Sequence, residues 1–399
     1  MRYIPNSPEE RQEMLHALGL NSAEELFDSI PADALLREPL KTPAALSEIE
    51  LLERFESLAS RNAAARRPSF LGAGAYSHYA PTIVDSLIQR SEFFTAYTPY
   101  QPEISQGTLQ AIFEFQTLVC QLTGMDVANA SMYDGSTAMA EAVLMAERVT
   151  RRSRVLVSDA VHPEYMQVTE TYVAHAGIEL GRLGVDAETG RTAFDDSALD
   201  KTVGAVVVQS PNFFGCVEDL KSLADRAHAA GALLVVVVTE SASFGLLRPP
   251  GACGADIVAA EGQSLGVPLS FTNEGLIALA ATIYMTTMGR KGLQEVAAQC
   301  AQKAAYARRR IAAVEGFSLP YSAPVFNEFV VRAPLEAAGL LRRLASEHNV
   351  NGGLALSRHF PERPNDLLVC VTETNKRSEI DALVAGLREV QGSRFKVQS

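Results

Sequence analysis

The chain has 399 residues, 47% hydrophobic and 21% charged, an ordinary globular composition with apolar material enough for two domains. Its 35 Lys plus Arg stand against 47 Asp plus Glu, and the resulting net charge of −12 argues against nucleic acid or an anionic membrane surface as a partner. The five cysteines are odd in number and far apart and include no C-x-x-C, so they suggest neither a disulfide framework nor a metal site and read as small core residues in a reducing cytoplasm.

The first residues, Met1-Arg-Tyr-Ile-Pro-Asn-Ser-Pro-Glu-Glu, lack the apolar stretch of a signal peptide. Residues 1–64 read as a helical arm. Asn6-Ser-Pro-Glu-Glu and Asn21-Ser-Ala-Glu-Glu combine capping residues with acids beside the helix dipole, and Pro31, Pro39 and Pro43 interrupt the segment. Two polar-aromatic stretches follow. Ser69-Phe-Leu-Gly-Ala-Gly-Ala-Tyr-Ser-His-Tyr mixes glycines with Tyr76, His78 and Tyr79, and Phe93 to Gly107 contains Thr98-Pro-Tyr-Gln-Pro-Glu, whose two prolines fix an extended backbone. Hydroxyls, an amide and a carboxylate in a proline-fixed loop suit a binding surface; a packed connector is the alternative.

From Leu109 to Leu122 the apolar residues fall at helical spacing, ending at Gly124. Strand-like runs then come at 154–158, 205–209, 233–239 and 257–260, separated by helical stretches at 162–176, 217–230 and 241–247. That order, with strands apolar throughout, predicts a parallel sheet covered on both faces within a large α/β domain at 65–275. The run Ala232 to Val238 is too short to span a bilayer and reads as a central strand. Residues 276–399 read as a connecting helix and a small α+β domain: helices at 274–288, 291–314, 334–347 and 377–390, strands at 326–332 and 367–372.

The stretch Asp256 to Phe271, D-I-V-A-A-E-G-Q-S-L-G-V-P-L-S-F, passes from a buried strand into a polar loop. In pyridoxal phosphate enzymes built on a doubly wound sheet, the Schiff-base lysine commonly sits just past such a strand. Here there is none, and the nearest lysines in sequence are Lys221 and Lys291. Asp134-Gly-Ser-Thr-Ala opens a helix whose Gly135, Ser136 and Thr137 N–H groups either cradle a phosphate or belong to a plain helix cap. His162, directly after a strand, either stacks over a cofactor ring or is structural. Where an aspartate would serve a pyridine nitrogen, the nearest acid is Glu240. No H-E-x-x-H, G-x-S-x-G or G-K-[ST] motif occurs, so self-contained nucleophilic or metal catalysis is unsupported.

Phe70-Leu-Gly-Ala-Gly-Ala-Tyr, Tyr97-Thr-Pro-Tyr-Gln-Pro-Glu-Ile-Ser-Gln-Gly, Asp126-Val-Ala-Asn-Ala-Ser, Ser158-Asp-Ala-Val-His-Pro-Glu-Tyr, Pro211-Asn-Phe-Phe-Gly and Glu261-Gly-Gln-Ser-Leu-Gly-Val-Pro together closely resemble subunit 1 of the two-subunit glycine decarboxylases, the P-proteins of the glycine cleavage system. Phe326-Asn-Glu-Phe-Val and Gly352-Gly-Leu extend the resemblance, which covers nearly the whole chain.

The resemblance implies a fold-type I pyridoxal-enzyme architecture and an α2β2 assembly in which subunit 2 carries the lysine and the pyridoxal phosphate. It implies glycine decarboxylation with transfer of the aminomethyl group to the lipoyl group of H-protein. Laid against the catalytic-subunit pattern H-K-T-F-S-x-P, the lysine falls on Gln263, and glutamine cannot form an internal aldimine. By the same overlay His162 matches the ring-stacking histidine. Thr98, Tyr100, Gln101 and Glu103 are then expected at the site shared with subunit 2, with Tyr76, His78 and Tyr79 as weaker candidates. In the family, several dozen residues separate Val267-Pro-Leu-Ser-Phe from Thr-Asn-Glu-Gly-Leu; here Thr272 follows Phe271 at once. That junction reads either as a deletion beside the crevice or as a stretch missing from the sequence as written, the second being favoured because family-like sequence resumes without drift. An independent fold-type I aminotransferase or lyase with a displaced lysine (Lys201, Lys221 or Lys291) and a structural or regulatory paralogue are the rival expectations.

Overall fold

The polar entries of the N-terminal segment become helix caps. In the computed structural model, which describes residues 5–36, 38, 40–62, 66–94, 99–265 and 274–395, Ser7 and Glu10 form a capping box at the start of α1 (Pro8–Ala17), and Ser47 and Glu50 do the same for α2 (Glu48–Ser60). The Asn21 entry yields only a short 3-10 turn, Glu24–Phe27, because Glu25 folds back onto the Asn21 and Ser22 amides. Ile49, Leu52 and Phe55 of α2 are exposed. Residues 1–63 form one unit and 64–399 another.

The second unit begins with short helices, α3 (Thr82–Ile88) and α4 (Ser91–Phe94), followed by α5 (Gln106–Thr123), which stops at a left-handed Gly124 with φ 72°. Then come α6 (Gly135–Thr150), β1 (Arg154–Ser158), α7 (Pro163–Val173), β2 (Glu179–Leu183), β3 (Val203–Gln209), α8 (Leu220–Ala229), β4 (Leu233–Val238) and β5 (Ile257–Ala260). The five strands pair in the order β2-β1-β3-β4-β5, all parallel. Alternate residues enter separate cores. Val155, Val157, Ala205, Val207, Val235 and Val237 pack beneath α6 and α7, while Leu156, Val206, Val208, Leu234 and Val236 pack beneath α8. Burial on both faces is why these strands read as unbroken apolar runs.

β2 escaped the sequence reading. Its residues E-L-G-R-L alternate poorly and lie at the sheet edge, where only Leu183 is buried. The forecast helix at 241–247 is a 3-10 turn, Ser241–Gly245, whose Ala242 N–H is capped by the Glu240 side chain. The two helices forecast after residue 274 are halves of α9 (Glu274–Ala312), separated at Gly289, where φ 55° and ψ −176° interrupt the helix.

The C-terminal portion contains β6 (Glu328–Arg332), α10 (Ala337–Glu347), β7 (Leu354–Ala355), β8 (Asp366–Cys370) and α11 (Arg377–Phe395). Its antiparallel sheet has the order β6-β8-β7. Phe329, Val331, Leu340, Leu344, Val369, Leu383 and Leu387 form its core, and Phe70, from far upstream, is fully buried among them. The five cysteines are free, and all but Cys120 are buried.

Candidate functional site

Parallel strands end together, so Gln209, Thr239, Glu240 and the turn Glu261–Leu265 all lie at or just past the carboxyl ends of β3, β4 and β5, where ligand crevices form in open α/β sheets. The segment 69–79 crosses this edge and ties it to the C-terminal sheet. The Phe70 N–H donates to the Asn351 carbonyl at 2.8 Å and its carbonyl accepts from the Cys370 N–H at 2.9 Å. Two glycines permit the close approach. A Cβ at Gly72 would lie 2.0 Å from Glu328 Oε1, and one at Gly74, where φ is 88°, would lie 3.2 Å from His162 Nε2.

Three buried carboxylates meet this segment. Glu328, in β6, accepts from the Ala73 N–H at 2.7 Å and from the Tyr76 hydroxyl at 2.7 Å. Burial raises its pKa to about 7 despite those hydrogen bonds. Burial, then Glu328 and Glu240, push the Tyr76 phenol well above its usual range. His78 lies between the other two acids, its Nδ1 2.7 Å from Glu373 Oε2 and its Nε2 3.0 Å from Glu240 Oε2. Its side chain is 2% exposed. Burial disfavours a charged ring, but Glu240 and Glu373 outweigh it and raise the pKa to about 10. Glu373 responds in the matching sense: burial would raise it, but the hydrogen bond and charge of His78 hold it low. Glu240 also accepts from Asn327 Nδ2 at 2.7 Å and, through its other oxygen, from the Ala242 N–H at 3.0 Å.

Cys300 Sγ donates to Glu373 at 3.3 Å, and the His78, Cys300 and Glu373 donor atoms all lie within 4.8 Å of one another. Their types are those of metal ligands, and here they are joined to one another by hydrogen bonds, with the imidazole set between two carboxylates. The set is a hydrogen-bonded ionic cluster. Lys303, on α9, donates to the Glu373 carbonyl beside it.

The nitrogens of His162 are also engaged. Nδ1 accepts from the Glu164 N–H at 3.2 Å, so Nε2 carries the proton and donates to the Ala73 carbonyl at 3.0 Å. Burial keeps this ring's pKa below the usual range, in keeping with a neutral tautomer. It packs 5.0 Å from both the Tyr165 and Phe213 rings. At the start of α6, Asp134 caps the Thr137 N–H at 2.7 Å, and the Gly135 N–H donates to Glu261 Oε2 at 2.9 Å. A Cβ at Gly135 would meet the Tyr165 hydroxyl at 2.4 Å.

The expected site residues therefore separate. Gly135, Ser136, Thr137, His162 and Gln263 gather at the strand edge, where Gln263 is half-buried in the turn three residues past β5. Tyr100, at 77% exposure, Gln101 and Glu103 lie on an exposed loop, and Thr98 falls outside the described residues. Tyr76 and His78 face inward, contrary to a role on a partner surface, because buried carboxylates hold them; the Tyr79 side chain is exposed while its amide binds Glu373. The sequence reading missed Glu261, Glu328, Glu373 and Asn327. Only Glu328 left a signal, as an acid inside the apolar run Phe326 to Val331.

A five-stranded parallel sheet with its crevice at the strand ends and a smaller antiparallel domain is the fold-type I architecture of pyridoxal phosphate enzymes. Structures below 25% identity share it, among them Burkholderia pseudomallei sphingosine-1-phosphate lyase, at 15% identity and a TM-score of 0.67 over 92% of this chain and 96% of that one. The family model described as glycine cleavage system P-protein matches residues 1–274 and 271–387, and the chain belongs to that family. A crystal structure of glycine decarboxylase (P-protein) of the glycine cleavage system, in inhibitor-bound form, aligns at 38% identity and a TM-score of 0.89, covering 98% of this chain and 100% of that one. Probable glycine dehydrogenase (decarboxylating) subunit 1 of Moorella thermoacetica is 45% identical over 98% of this chain and 100% of its own length. That of Desulforamulus reducens is 44% identical over 97% and 99%. These alignments run to 450 and 444 positions, longer than this chain, so the relatives carry residues it lacks. The two family-model matches meet at the 271/272 junction, which itself lies outside the described residues.

The residues present do not fit the cofactor of this fold class. The strand-end position offers the Gln263 amide in place of an amine, and the Gly135 N–H that would meet a phosphate already holds the Glu261 carboxylate.

Proposed function

We propose that this chain is the subunit of a two-subunit glycine decarboxylase that does not carry the cofactor, and that it completes the active site of a lysine-bearing partner in a cytoplasmic α2β2 assembly. In the reaction, glycine loses its carboxylate as CO2 and its aminomethyl group passes to the lipoyl disulfide of H-protein. The observation that carries the reading is Gln263 at the strand-end position. The lysines of the rival, independent-enzyme reading are poorly placed for that role. Lys221 sits on the exposed face of α8 beside Asp225, and Lys201 and Lys291 are exposed.

The part this chain offers its partner is the loop 99–107. Tyr100 and Ile104 are 77% and 80% exposed, and an open groove of about 410 Å³ is lined by Pro102, Glu103, Gln106, Leu109, Gln110 and Phe113. Such apolar exposure beside a carboxylate suits a surface covered on assembly. There Tyr100, Gln101 and Glu103 would orient substrate while the surrounding apolar groups exclude water.

Reconstitution of the chain with a lysine-bearing subunit 2, lipoylated H-protein and glycine tests the proposal through glycine–bicarbonate exchange. Exchange should require both subunits. A borohydride-reducible pyridoxal adduct on a lysine of this chain would overturn it.

A further inference from the structure

Resting on that reading of the chain, the geometry points to a crevice that supplies its own substitutes for the cofactor's polar ends: we propose that the Glu261 carboxylate stands in for a phosphate on the first turn of α6, and that His78 stands in for a protonated ring nitrogen against Glu240. The two contacts are of the kinds a pyridoxal phosphate would make. Glu261 Oε2 accepts from the Gly135 N–H at 2.9 Å, at the helix end whose dipole favours an anion. Its other oxygen accepts from the Gly262 N–H at 2.9 Å, so both are used. Tyr165 closes the remaining space against Gly135. At the other end, His78 Nε2 lies 3.0 Å from Glu240, the acid just past β4, where a pyridine nitrogen would otherwise be met.

Without Glu261 the Gly135 N–H would be a helix-end donor lacking this acceptor, a cost to folding; Glu240 already accepts from Asn327 and the Ala242 N–H, and His78 adds the charged partner. The charged and titratable groups around His78 are Glu240, Glu373, Glu328, Tyr76, Cys300 and Lys303. Two carboxylates facing one ring favour the doubly protonated form.

Thermal unfolding of the full-length chain and of Glu261→Ala, each in inorganic phosphate and in chloride of equal ionic strength, tests the first contact. Wild type should show no phosphate-specific rise. The variant should unfold earlier and recover by about 2 °C or more in phosphate, as the freed N–H binds the anion. An equal response of the two proteins overturns the proposal, and so does a phosphate-specific rise in wild type, which can be read even if the variant fails to fold. For the second contact, ring nitrogen NMR at pH 8 should find His78 doubly protonated, and a neutral ring overturns it. Either failure leaves the borohydride test untouched, so loss of this inference and loss of the subunit assignment are told apart.

Discussion

Two loops of similar composition end up in opposite environments. Residues 69–79 and 99–107 both mix Tyr, Pro, Gly or Ser with a charged or titratable side chain, and both looked suited to a binding surface. In the first, Phe70 is fully buried, Tyr76 is 7% exposed, and the Ala73 N–H, the Tyr76 hydroxyl and both His78 nitrogens meet carboxylates. In the second, Tyr100 and Ile104 stand in solvent. The difference arises from what faces each loop. Glu240, Glu328 and Glu373 come from the turn after β4, from β6 and from the segment after β8, and residues 73–79 supply donors and a cation to all three. The side chains of Tyr100 and Ile104 remain largely exposed.

The comparison breaks most readily at His78. Replacing it by Ala leaves two buried carboxylates without their shared cation and should cost about 3–5 kcal/mol in denaturant unfolding, as for other broken buried ion pairs; a cost as small as that of Tyr100→Phe would mean the two loops do not differ as described. The pH dependence sharpens the same point. The pKa of His78 is raised when folded, so its contribution is complete below about pH 6.5 and is lost as pH rises through about 10. Glu328, raised to about 7, adds a loss of stability between about pH 4.5 and 7. Stability measured by urea unfolding should therefore decline from pH 6.5 to 10, and His78→Gln should flatten that decline.

A different response is expected in the exposed loop. Tyr100→Phe or Glu103→Gln should leave stability within about 0.5 kcal/mol of wild type yet lower glycine–bicarbonate exchange in the reconstituted pair by about tenfold or more. Unchanged exchange would reduce the loop to packing. The smallest effect is expected at Lys221→Ala, which removes an exposed pair with Asp225 and should cost about 0.5 kcal/mol or less without altering exchange. A marked loss of exchange there would revive the reading in which Lys221 is catalytic.

Much of the architecture was legible because it rests on local patterns. Val203 to Gln209 and Leu233 to Val238 are apolar on both faces and can only be central strands, and Gly124 and Gly289 mark the helix stops that they provide. β2 was not legible because Glu179 and Arg182 lie on an edge open to water, where the apolar pattern is relaxed. Of the crevice, Gln263, Gly135 and His162, all three at the strand ends, could be singled out from the sequence. Their partners could not. Glu261 lies 126 residues from Gly135, and Glu373 lies 295 from His78.

The sequence alone determined the parallel sheet and membership of the family, since each depends on residue type and short-range order. Tertiary structure alone decided which loop turns inward, because the buried acids that claim Tyr76 and His78 are hundreds of residues away, and the electrostatic cost of leaving them unpaired arises only once the chain has brought them together.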